Sequence, residues 1–156
     1  MTAALQIGQP APAFTLPRDG GGTVSLSDFA GRPVVLFVYP EDGTPGCTKE
    51  AQEFSALADD FAAAGAVLLG LSMDPVKKHD KFRDKHGLRH ILLSDEQRSL
   101  IDACGLWIEK SMYGRTYMGV ERATFLIGAD HLIAQIWRNV RVKDHAAQVL
   151  AALRAT

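Results

Sequence analysis

The hydrophobic positions of this 156-residue chain form short continuous runs, separated by stretches in which they recur at helical spacing. Residues 34–39 are all β-branched, aliphatic or aromatic, a pattern typical of a strand that is buried on both faces. A loop rich in proline and glycine follows at residues 40–46. Phe54, Leu57 and Phe61 then recur at helical spacing, which predicts a helix from about residue 45 to residue 64.

The rest of the chain continues this alternation of strands and helices. In chain order, the further predicted elements are extended pieces at 13–16 and 23–26, strands at 66–73 and 91–93, helices at 75–86 and 96–104, strands at 123–127 and 132–137, and an amphipathic helix at 143–154. Strands that alternate with helices and end in a strand pair predict an α/β fold with a central mixed β-sheet flanked by helices. We expect a single domain over residues 1–156.

Charge and hydropathy exclude several classes of protein. The 17 Lys and Arg residues nearly balance the 18 Asp and Glu residues, so we expect neither a nucleic-acid partner nor a membrane partner. The longest apolar run, residues 61–71, is too short to span a bilayer. Residues 1–13 contain no Lys or Arg, unlike a signal peptide, and we therefore expect a cytoplasmic protein.

The sequence contains no motif for a cofactor or a metal. The five histidines form no HExxH pattern, and the glycines at 20–22 lack the Lys-Ser/Thr pair of a phosphate-binding loop. His79 and His86 lie seven positions apart in the charged helix, where we expect them on the surface. We therefore expect neither a cofactor nor a bound metal.

Cys47 lies at the start of the first predicted helix, in a setting that favours a reactive thiol. Thr44 is a good N-cap residue and Pro45 suits the first helical position. Gly46 and Cys47 then fall in the first turn, where free amide groups and the helix dipole favour an anion. The thiol should ionise more readily there than a free cysteine does, and the thiolate is the nucleophilic form. Alternatively, Thr44 and Pro45 merely cap the helix, and Cys47 is an inert buried residue.

The residues around Cys47 resemble the active-site signature of the peroxiredoxins. Pro40-x-x-x-Thr44-x-x-Cys47 matches that signature, and Gly-Cys-Thr-Lys-Glu at residues 46–50 resembles the peroxiredoxin Q, or bacterioferritin-comigratory-protein, branch. The resemblance covers nearly the whole chain and includes residues 8–14, 109–119 and 122–127.

This resemblance implies a thioredoxin-like fold and a thiol-dependent peroxidase that reduces hydrogen peroxide and alkyl hydroperoxides. Cys47 would attack the peroxide and become a sulfenic acid. Thr44 would hydrogen-bond the thiolate and orient the peroxide, while Arg122 would stabilise the thiolate and the charge that develops on the peroxide oxygens. Pro40 would shield the site from water, and Gly46 would leave room for the substrate beside the sulfur.

For the residues that surround the predicted nucleophile, the sequence leaves structural alternatives open. Arg122 precedes a predicted strand, and without the motif a surface ion pair would be its simplest role. Glu50, one helical turn from the nucleophile, is either a solvated helix residue or a link to an arginine. Three apolar residues either line the mouth of the site or fill the core: Trp107, Met112 and Tyr113.

The chain departs from the peroxiredoxin pattern at the two positions where relatives carry a resolving cysteine, which hold Gln52 and Arg83 here. Cys104 stands where relatives usually carry an aromatic residue, and we expect it to pack in the core. The sequence therefore predicts a one-cysteine cycle, in which an external thiol such as thioredoxin, glutaredoxin or a small thiol reduces the sulfenic acid at Cys47. A two-cysteine cycle with Cys104 as the resolving thiol is the alternative.

Other functions are compatible with parts of this pattern. A thioredoxin-type disulfide reductase is disfavoured because the chain has no Cys-x-x-Cys pair. A peroxide sensor or holdase-like protein would use oxidation of Cys47 to change helix packing and expose apolar surface. Relatives of the branch are commonly monomeric, so we expect a monomer, or a weak dimer through residues 39–44.

Overall fold

The computed structural model describes residues 5–156. Residues 1–4, which belong to the predicted domain and to the N-terminal segment, lie outside the described residues. The strands are β1 (Thr15–Pro17), β2 (Thr23–Ser25), β3 (Val34–Val38), β4 (Val67–Ser72), β5 (Ile91–Ser94), β6 (Trp107–Met112), β7 (Arg115–Val120), β8 (Ala123–Ile127) and β9 (Ile133–Trp137). The helices are α1 (Pro45–Ala56), α2 (Ala58–Ala63), α3 (Val76–His86), α4 (Ser99–Ala103) and α5 (His145–Arg154), with a 3-10 turn at Leu26–Phe29.

The main sheet has five strands in the order β5-β4-β3-β8-β9. Strands β3, β4 and β5 run parallel, while β8 pairs antiparallel with β3 and β9 pairs antiparallel with β8. The other four strands form two separate antiparallel hairpins, β1-β2 and β6-β7. The predicted α/β class, with a central mixed sheet flanked by helices, is confirmed.

The continuous apolar run of β3 is explained by its position at the centre of this sheet. Val34, Leu36 and Val38 belong to the hydrophobic core on one face, which also contains residues of the β1-β2 hairpin and of α4. Val35 and Phe37 belong to the core on the opposite face, which contains residues of α1, α2, α3 and α5. Successive side chains of a strand point to opposite faces, so a strand covered on both sides must be apolar at every position.

The helix predicted over residues 45–64 is in fact two helices, and the prediction is wrong at that point. The chain leaves helical geometry at Leu57, where φ is −99° and ψ is 10°, and α2 begins at the next residue. Neither glycine nor proline marks the break, so the sequence contains no local signal for it. The other predicted helices and strands are present, with bounds that differ from the predicted ones by at most three residues at either end. Within residues 5–156 no helix is long and apolar enough to cross a membrane.

The β6-β7 hairpin was not predicted, because its residues are largely polar or exposed and carry no clear alternation. Met112 pairs with Arg115, so the connecting turn consists of Tyr113 and Gly114 alone. Both residues have positive φ, 51° for Tyr113 and 77° for Gly114. Two positive φ values define the type I′ turn that matches the twist of a hairpin, but tyrosine is an unusual residue at its first position.

Candidate active site

Cys47 lies in the first turn of α1, directly after the loop at the carboxyl end of the central strand β3. Thr44 occupies the N-cap position with extended backbone, and Pro45 is the first helical residue. The Thr44 carbonyl accepts the first helical hydrogen bond, from Thr48 N, at 2.9 Å. Only 1% of the Cys47 surface is exposed, so the thiol is shielded from bulk water by the fold.

Arg122, the residue before β8, contacts the sulfur of Cys47. Its Nη2 donates to Cys47 Sγ at 3.2 Å. The register of the sheet explains this approach, because Ala123, the first residue of β8, pairs with Val38, the last residue of β3. Arg122 therefore stands at the same end of the sheet as the loop that leads to Cys47. The structure brings together two residues that are 75 positions apart in the sequence.

The guanidinium of Arg122 is shared with Glu50, because its Nη1 donates to Glu50 Oε1 at 2.7 Å. Glu50 is only 1% exposed, and its second oxygen, Oε2, has no hydrogen-bond partner. Burial raises the pKa of Glu50 to about 7, with a smaller contribution from Glu53, although the charge of Arg122 acts in the opposite direction. The interpretation of Glu50 as a solvated helix residue is wrong, and its link to an arginine is confirmed.

The electrostatic balance at Arg122 differs from that at Glu50. Burial alone would lower the pKa of Arg122, but the charges of Glu50 and Cys47 outweigh burial and the pKa is raised. The guanidinium therefore stays charged while the carboxyl group is close to its midpoint at neutral pH. This arrangement keeps a permanent cation at the sulfur.

The Thr44 hydroxyl donates to the Glu41 carbonyl at 3.1 Å rather than accepting from an amide of α1. Thr44 is therefore the N-cap residue, as predicted, but its side chain makes no capping hydrogen bond. Among the described residues, the side-chain hydrogen bond to Cys47 Sγ comes from Arg122, so a contact from Thr44 to the thiolate stays a prediction. The hydroxyl proton is engaged by the carbonyl, but the oxygen keeps lone pairs that can accept a hydrogen bond from a peroxide.

Pro40 and Gly46 stand on either side of this N-terminal turn. Pro40 is half-buried at the start of the loop, and Gly46 is exposed. A Cβ added at Gly46 would lie 3.5 Å from Arg122 Nη2, at ordinary contact distance. The space beside Gly46 therefore faces the guanidinium of Arg122. The roles of Pro40 and Gly46 in shielding and substrate binding stay predictions.

A buried polar network beneath the loop was missed by the sequence analysis. His79 was expected on the surface, but it is 0% exposed. Its Nδ1 lies 2.6 Å from Asp42 Oδ2, and its Nε2 lies 2.9 Å from the carbonyl of Leu93. The Tyr39 hydroxyl donates to Asp42 Oδ1 at 2.6 Å, and Asp42 N donates to Asp74 Oδ2 at 2.8 Å. The loop between β3 and α1 is therefore tied to α3.

The partners of His79 define its protonation. The Leu93 carbonyl can only accept, so Nε2 carries a proton, and the carboxylate of Asp42 favours a second proton on Nδ1. Burial lowers the pKa of His79, but the hydrogen bond and the charge of Asp42 outweigh burial and raise it. A signal was available, since His79 lies three residues before the buried Phe82 and so on the same helix face. Atoms of Asp42, Asp74 and His79 that could bind a metal ion lie within 4.8 Å of one another. The hydrogen bonds of the network account for this grouping.

Cys104, the other cysteine, belongs to a different region of the molecule. It is 1% exposed and packs in the core on the face of the sheet opposite to the core that contains Cys47. Burial raises the pKa of the Cys104 thiol to about 12. The expectation that Cys104 packs in the core is confirmed.

The three apolar residues with open roles have different positions around the β6-β7 hairpin. Tyr113 is 97% exposed at its turn and Met112 is 55% exposed, so neither fills the core. Trp107 is half-buried and lies beneath the guanidinium of Arg98, 4.1 Å from its ring centroid. Lys110 on the same hairpin has its pKa lowered by burial and by repulsion from Arg122.

A thiol at a helix N-terminus, in contact with a guanidinium, has the setting of a reactive, nucleophilic cysteine. Residues 7–136 match the model of the AhpC/TSA family. The chain belongs to this family, whose members include the peroxiredoxins that it resembles over nearly its whole length.

Within the family the chain is similar to proteins of the Bcp, or PrxQ, branch. It is 45% identical to peroxiredoxin Bcp of Bacillus subtilis over 96% of each chain, and 45% identical to peroxiredoxin Bcp of Xanthomonas campestris over 94% of this chain and 92% of that one. A solved structure of a Xylella fastidiosa PrxQ cysteine-to-serine mutant is 39% identical, covers 98% of both chains and superimposes with a TM-score of 0.93.

A Xanthomonas campestris bacterioferritin comigratory protein, studied for its alkyl peroxide reduction activity, is 44% identical and superimposes with a TM-score of 0.87 over 91% of this chain and 90% of that one. The recognition of a peroxiredoxin, the thioredoxin-like fold and the assignment as a thiol-dependent peroxidase are thereby confirmed.

Proposed function

We propose that the protein reduces hydrogen peroxide and alkyl hydroperoxides in a one-cysteine cycle, with Cys47 as the nucleophile and an external thiol as the reductant. The observation that carries this proposal is the contact of 3.2 Å from Arg122 Nη2 to Cys47 Sγ in the first turn of α1. The alkyl peroxide reduction activity studied in the Xanthomonas campestris relative supports the substrate class.

The first half of the reaction breaks the peroxide bond. The Cys47 thiolate attacks one peroxide oxygen, the O–O bond breaks, and the leaving oxygen takes a proton and departs as water or an alcohol. Cys47 is left as a sulfenic acid. Arg122 faces the sulfur with a fixed charge, so it can stabilise negative charge as it moves from sulfur to oxygen without solvent reorganisation. We assign to Thr44 the acceptance of a hydrogen bond from the peroxide, which orients it for in-line attack.

The second half of the reaction needs a thiol from outside the chain. Cys104 lies in the core on the other face of the central sheet, so it cannot reach Cys47 without disruption of both cores. Gln52 and Arg83 occupy the two positions where relatives carry resolving cysteines. We propose that one external thiol condenses with the sulfenic acid and releases water, and that a second thiol then releases Cys47 as a disulfide forms between the two. Thioredoxin, glutaredoxin and small thiols can each supply this chemistry.

The setting we propose is a reducing one. Cys47 and Cys104 are both free thiols, which fits the cytoplasm, where thiol donors keep cysteines reduced. We also propose that the protein acts as a monomer or a weak dimer, because the described residues of one chain supply both Cys47 and Arg122.

The proposal is tested by treating the reduced protein with one equivalent of hydrogen peroxide and recording its intact mass with and without a sulfenic-acid trap. We expect one added oxygen on Cys47, captured as an adduct by the trap, and many turnovers of peroxide when a thiol is supplied. Loss of two hydrogens, with a Cys47–Cys104 peptide after digestion, would replace the one-cysteine cycle by the two-cysteine cycle. A single oxidation with no turnover in excess thiol would favour a peroxide sensor.

A further inference from the structure

A groove of about 250 Å³ lies between α3 and the active-site loop, residues 40–46, which leads to Cys47. Gly43 and Thr48 line one wall, so the groove lies beside the turn that carries Cys47. The other wall is formed by residues of α3 at positions that recur along one helix face: Lys78, Lys81, Phe82, Lys85 and His86. A concave site of this size, with cations on one wall, suits a small ligand better than it suits a protein surface.

The groove holds three lysines and one carboxylate, Asp42, which is already bound to His79. Lys78 is paired, with Nζ 2.8 Å from Glu41 Oε2 and 3.0 Å from Asp74 Oδ1. Lys81 and Lys85 are exposed, and neither has a carboxylate within 4.0 Å among residues 5–156. They lie one helical turn apart, where like charges repel each other. Two adjacent cations without partners give the groove a positive potential that attracts anions.

The groove also lies between the two helices on which relatives carry a resolving thiol. The corresponding residues are Gln52 on α1 and Arg83 on α3, and Gln52 Nε2 lies 3.4 Å from Nδ1 of His86, which lines the groove. Neither position holds a cysteine in this chain, so the thiol that reduces the Cys47 sulfenic acid has to come from another molecule. Thr48, the residue after Cys47, lines the groove, so a thiol held there lies beside the turn that carries Cys47.

We propose that the groove binds a small thiol that carries carboxylate groups and that this thiol is the reductant of Cys47. The inference rests on the one-cysteine cycle proposed above. Lys81 and Lys85 hold the carboxylates, and the thiol of the bound molecule condenses with the Cys47 sulfenic acid to form a mixed disulfide and water. A second molecule of the thiol attacks the mixed disulfide, which releases the Cys47 thiol and a disulfide of the two small molecules.

The test isolates the reductive half of the cycle. Cys47 sulfenic acid is formed with one equivalent of hydrogen peroxide, then mixed with a thiol, and the mixed disulfide is followed by rapid quench and intact mass. Three thiols are compared: mercaptosuccinate with two carboxylates, uncharged 2-mercaptoethanol, and cysteamine with an ammonium group. Each variant is compared with the wild type for the same thiol, so differences in thiol reactivity cancel.

Lys81→Glu and Lys85→Glu are the two test variants, and both side chains are exposed, so neither change disturbs the core. Arg32→Glu is the matched control, because it makes the same change in net charge at the opposite end of β3. At low salt, we expect each lysine variant to form the mixed disulfide with mercaptosuccinate about threefold to tenfold more slowly than the wild type. The rate with 2-mercaptoethanol should not change. Cysteamine should react no more slowly, and Arg32→Glu should change none of the three rates. At about 1 M salt the differences should disappear.

The outcomes separate this inference from the function on which it rests. If no sulfenic acid forms in the wild type, the proposed peroxidase cycle itself is wrong. The groove is not the reductant site if the sulfenic acid forms but the lysine variants slow the reaction with mercaptosuccinate no more than the reaction with 2-mercaptoethanol. The same conclusion follows if Arg32→Glu slows the reaction with mercaptosuccinate as much as the lysine variants do. Rapid reduction by an acidic thioredoxin-like protein, with all three small thiols insensitive to Lys81→Glu and Lys85→Glu, would also overturn the inference.

Discussion

At the scale of single residues, the site depends on one guanidinium that serves two acceptors. Arg122 donates through Nη2 to Cys47 Sγ and through Nη1 to Glu50 Oε1. A planar fork with donors in fixed directions can make both contacts at once, whereas the single ammonium of lysine cannot match that geometry. The position of the charge at the sulfur is therefore set by Glu50 on the same helix as Cys47.

Replacement of Arg122 should slow the oxidation of Cys47 more than it affects stability. We expect Arg122→Met to lower the second-order rate constant for loss of the Cys47 thiol in hydrogen peroxide by about 100-fold. Arg122→Lys should recover part of the rate, because it restores charge without the fork. The control is Arg89→Met, which removes an exposed ion pair with Asp59. A rate for Arg122→Met within about threefold of the wild type would contradict the role given to the guanidinium.

The raised pKa of Glu50 predicts a pH-dependent cost of folding. The pKa of this carboxyl group rises from 4.5 to about 7, mainly because the group is buried. Between these pH values the folded chain holds a proton that the unfolded chain has lost, so stability falls as pH rises. Glu50→Gln removes this titration. Its unfolding free energy, relative to wild type, should rise by up to about 3 kcal/mol from pH 4.5 to 7.5.

Urea unfolding curves at several pH values measure this difference directly. Glu96→Gln is the matched control, because it makes the same chemical change at an exposed position. If the difference between Glu50→Gln and wild type is the same at pH 5 and pH 7.5, Glu50 does not titrate as the structure indicates.

At the scale of elements, the parallel pair β3 and β4 is held close to the helices by an aromatic stack. The ring of Phe37 on β3 stacks on Phe54 of α1, with ring centroids 4.3 Å apart. On the neighbouring strand β4, Gly70 leaves the space that this ring occupies, since a Cβ there would lie 2.9 Å from Phe37 Cζ and 3.1 Å from a methyl carbon of Leu92. A glycine within a buried strand thus has a packing reason.

Gly70→Ala should therefore destabilise the fold, by about 1–3 kcal/mol through overpacking. The physical cause can be checked with the double variant Gly70→Ala/Phe37→Leu. Leucine is shorter than the phenyl ring that the new methyl would meet, so we expect the double variant to lose less stability than the sum of the two single variants. Urea unfolding of the four proteins gives this coupling. Additivity within about 0.5 kcal/mol would show that the clash with Phe37 is not the cause.

At the scale of the whole molecule, the central sheet separates the two cysteines. Cys47 belongs to the core that packs against α1, while Cys104 belongs to the core on the opposite face. Burial also raises the pKa of Cys104 to about 12, so its thiolate is scarce at neutral pH. Both the position and the protonation of Cys104 disfavour it as a resolving thiol.

Cys104→Ala should keep full peroxide turnover with an external thiol, at a cost in stability of about 1 kcal/mol for the lost sulfur in the core. Peroxide consumption in the presence of dithiothreitol measures the turnover, and urea unfolding measures the cost. Cys47→Ala is the paired control and should abolish turnover. Loss of turnover in a folded Cys104→Ala variant would mean that the two faces of the sheet open during the cycle.

Much of the fold and the centre of the site follow from short-range patterns. The apolar run of β3, the helical spacing around Phe54, and the Thr44-Pro45 start of α1 are each encoded within a few residues. Local backbone preferences and burial of one face are enough to predict such elements, and they place Cys47 in a first helical turn. The break at Leu57 was missed because no residue there disfavours a helix.

Only the tertiary structure decided which distant side chains meet. Arg122 reaches Cys47 because β8 pairs antiparallel with β3, and sheet register is a property of the assembled strands. Burial of His79 against Asp42 depends on how α3 packs over the active-site loop. The sequence alone determined most of the elements and the place of Cys47 at a helix start, since these depend on neighbours in the chain. The cation, the buried carboxyl group and the separation of the two thiols depend on contacts across the sheet, which local sequence does not encode.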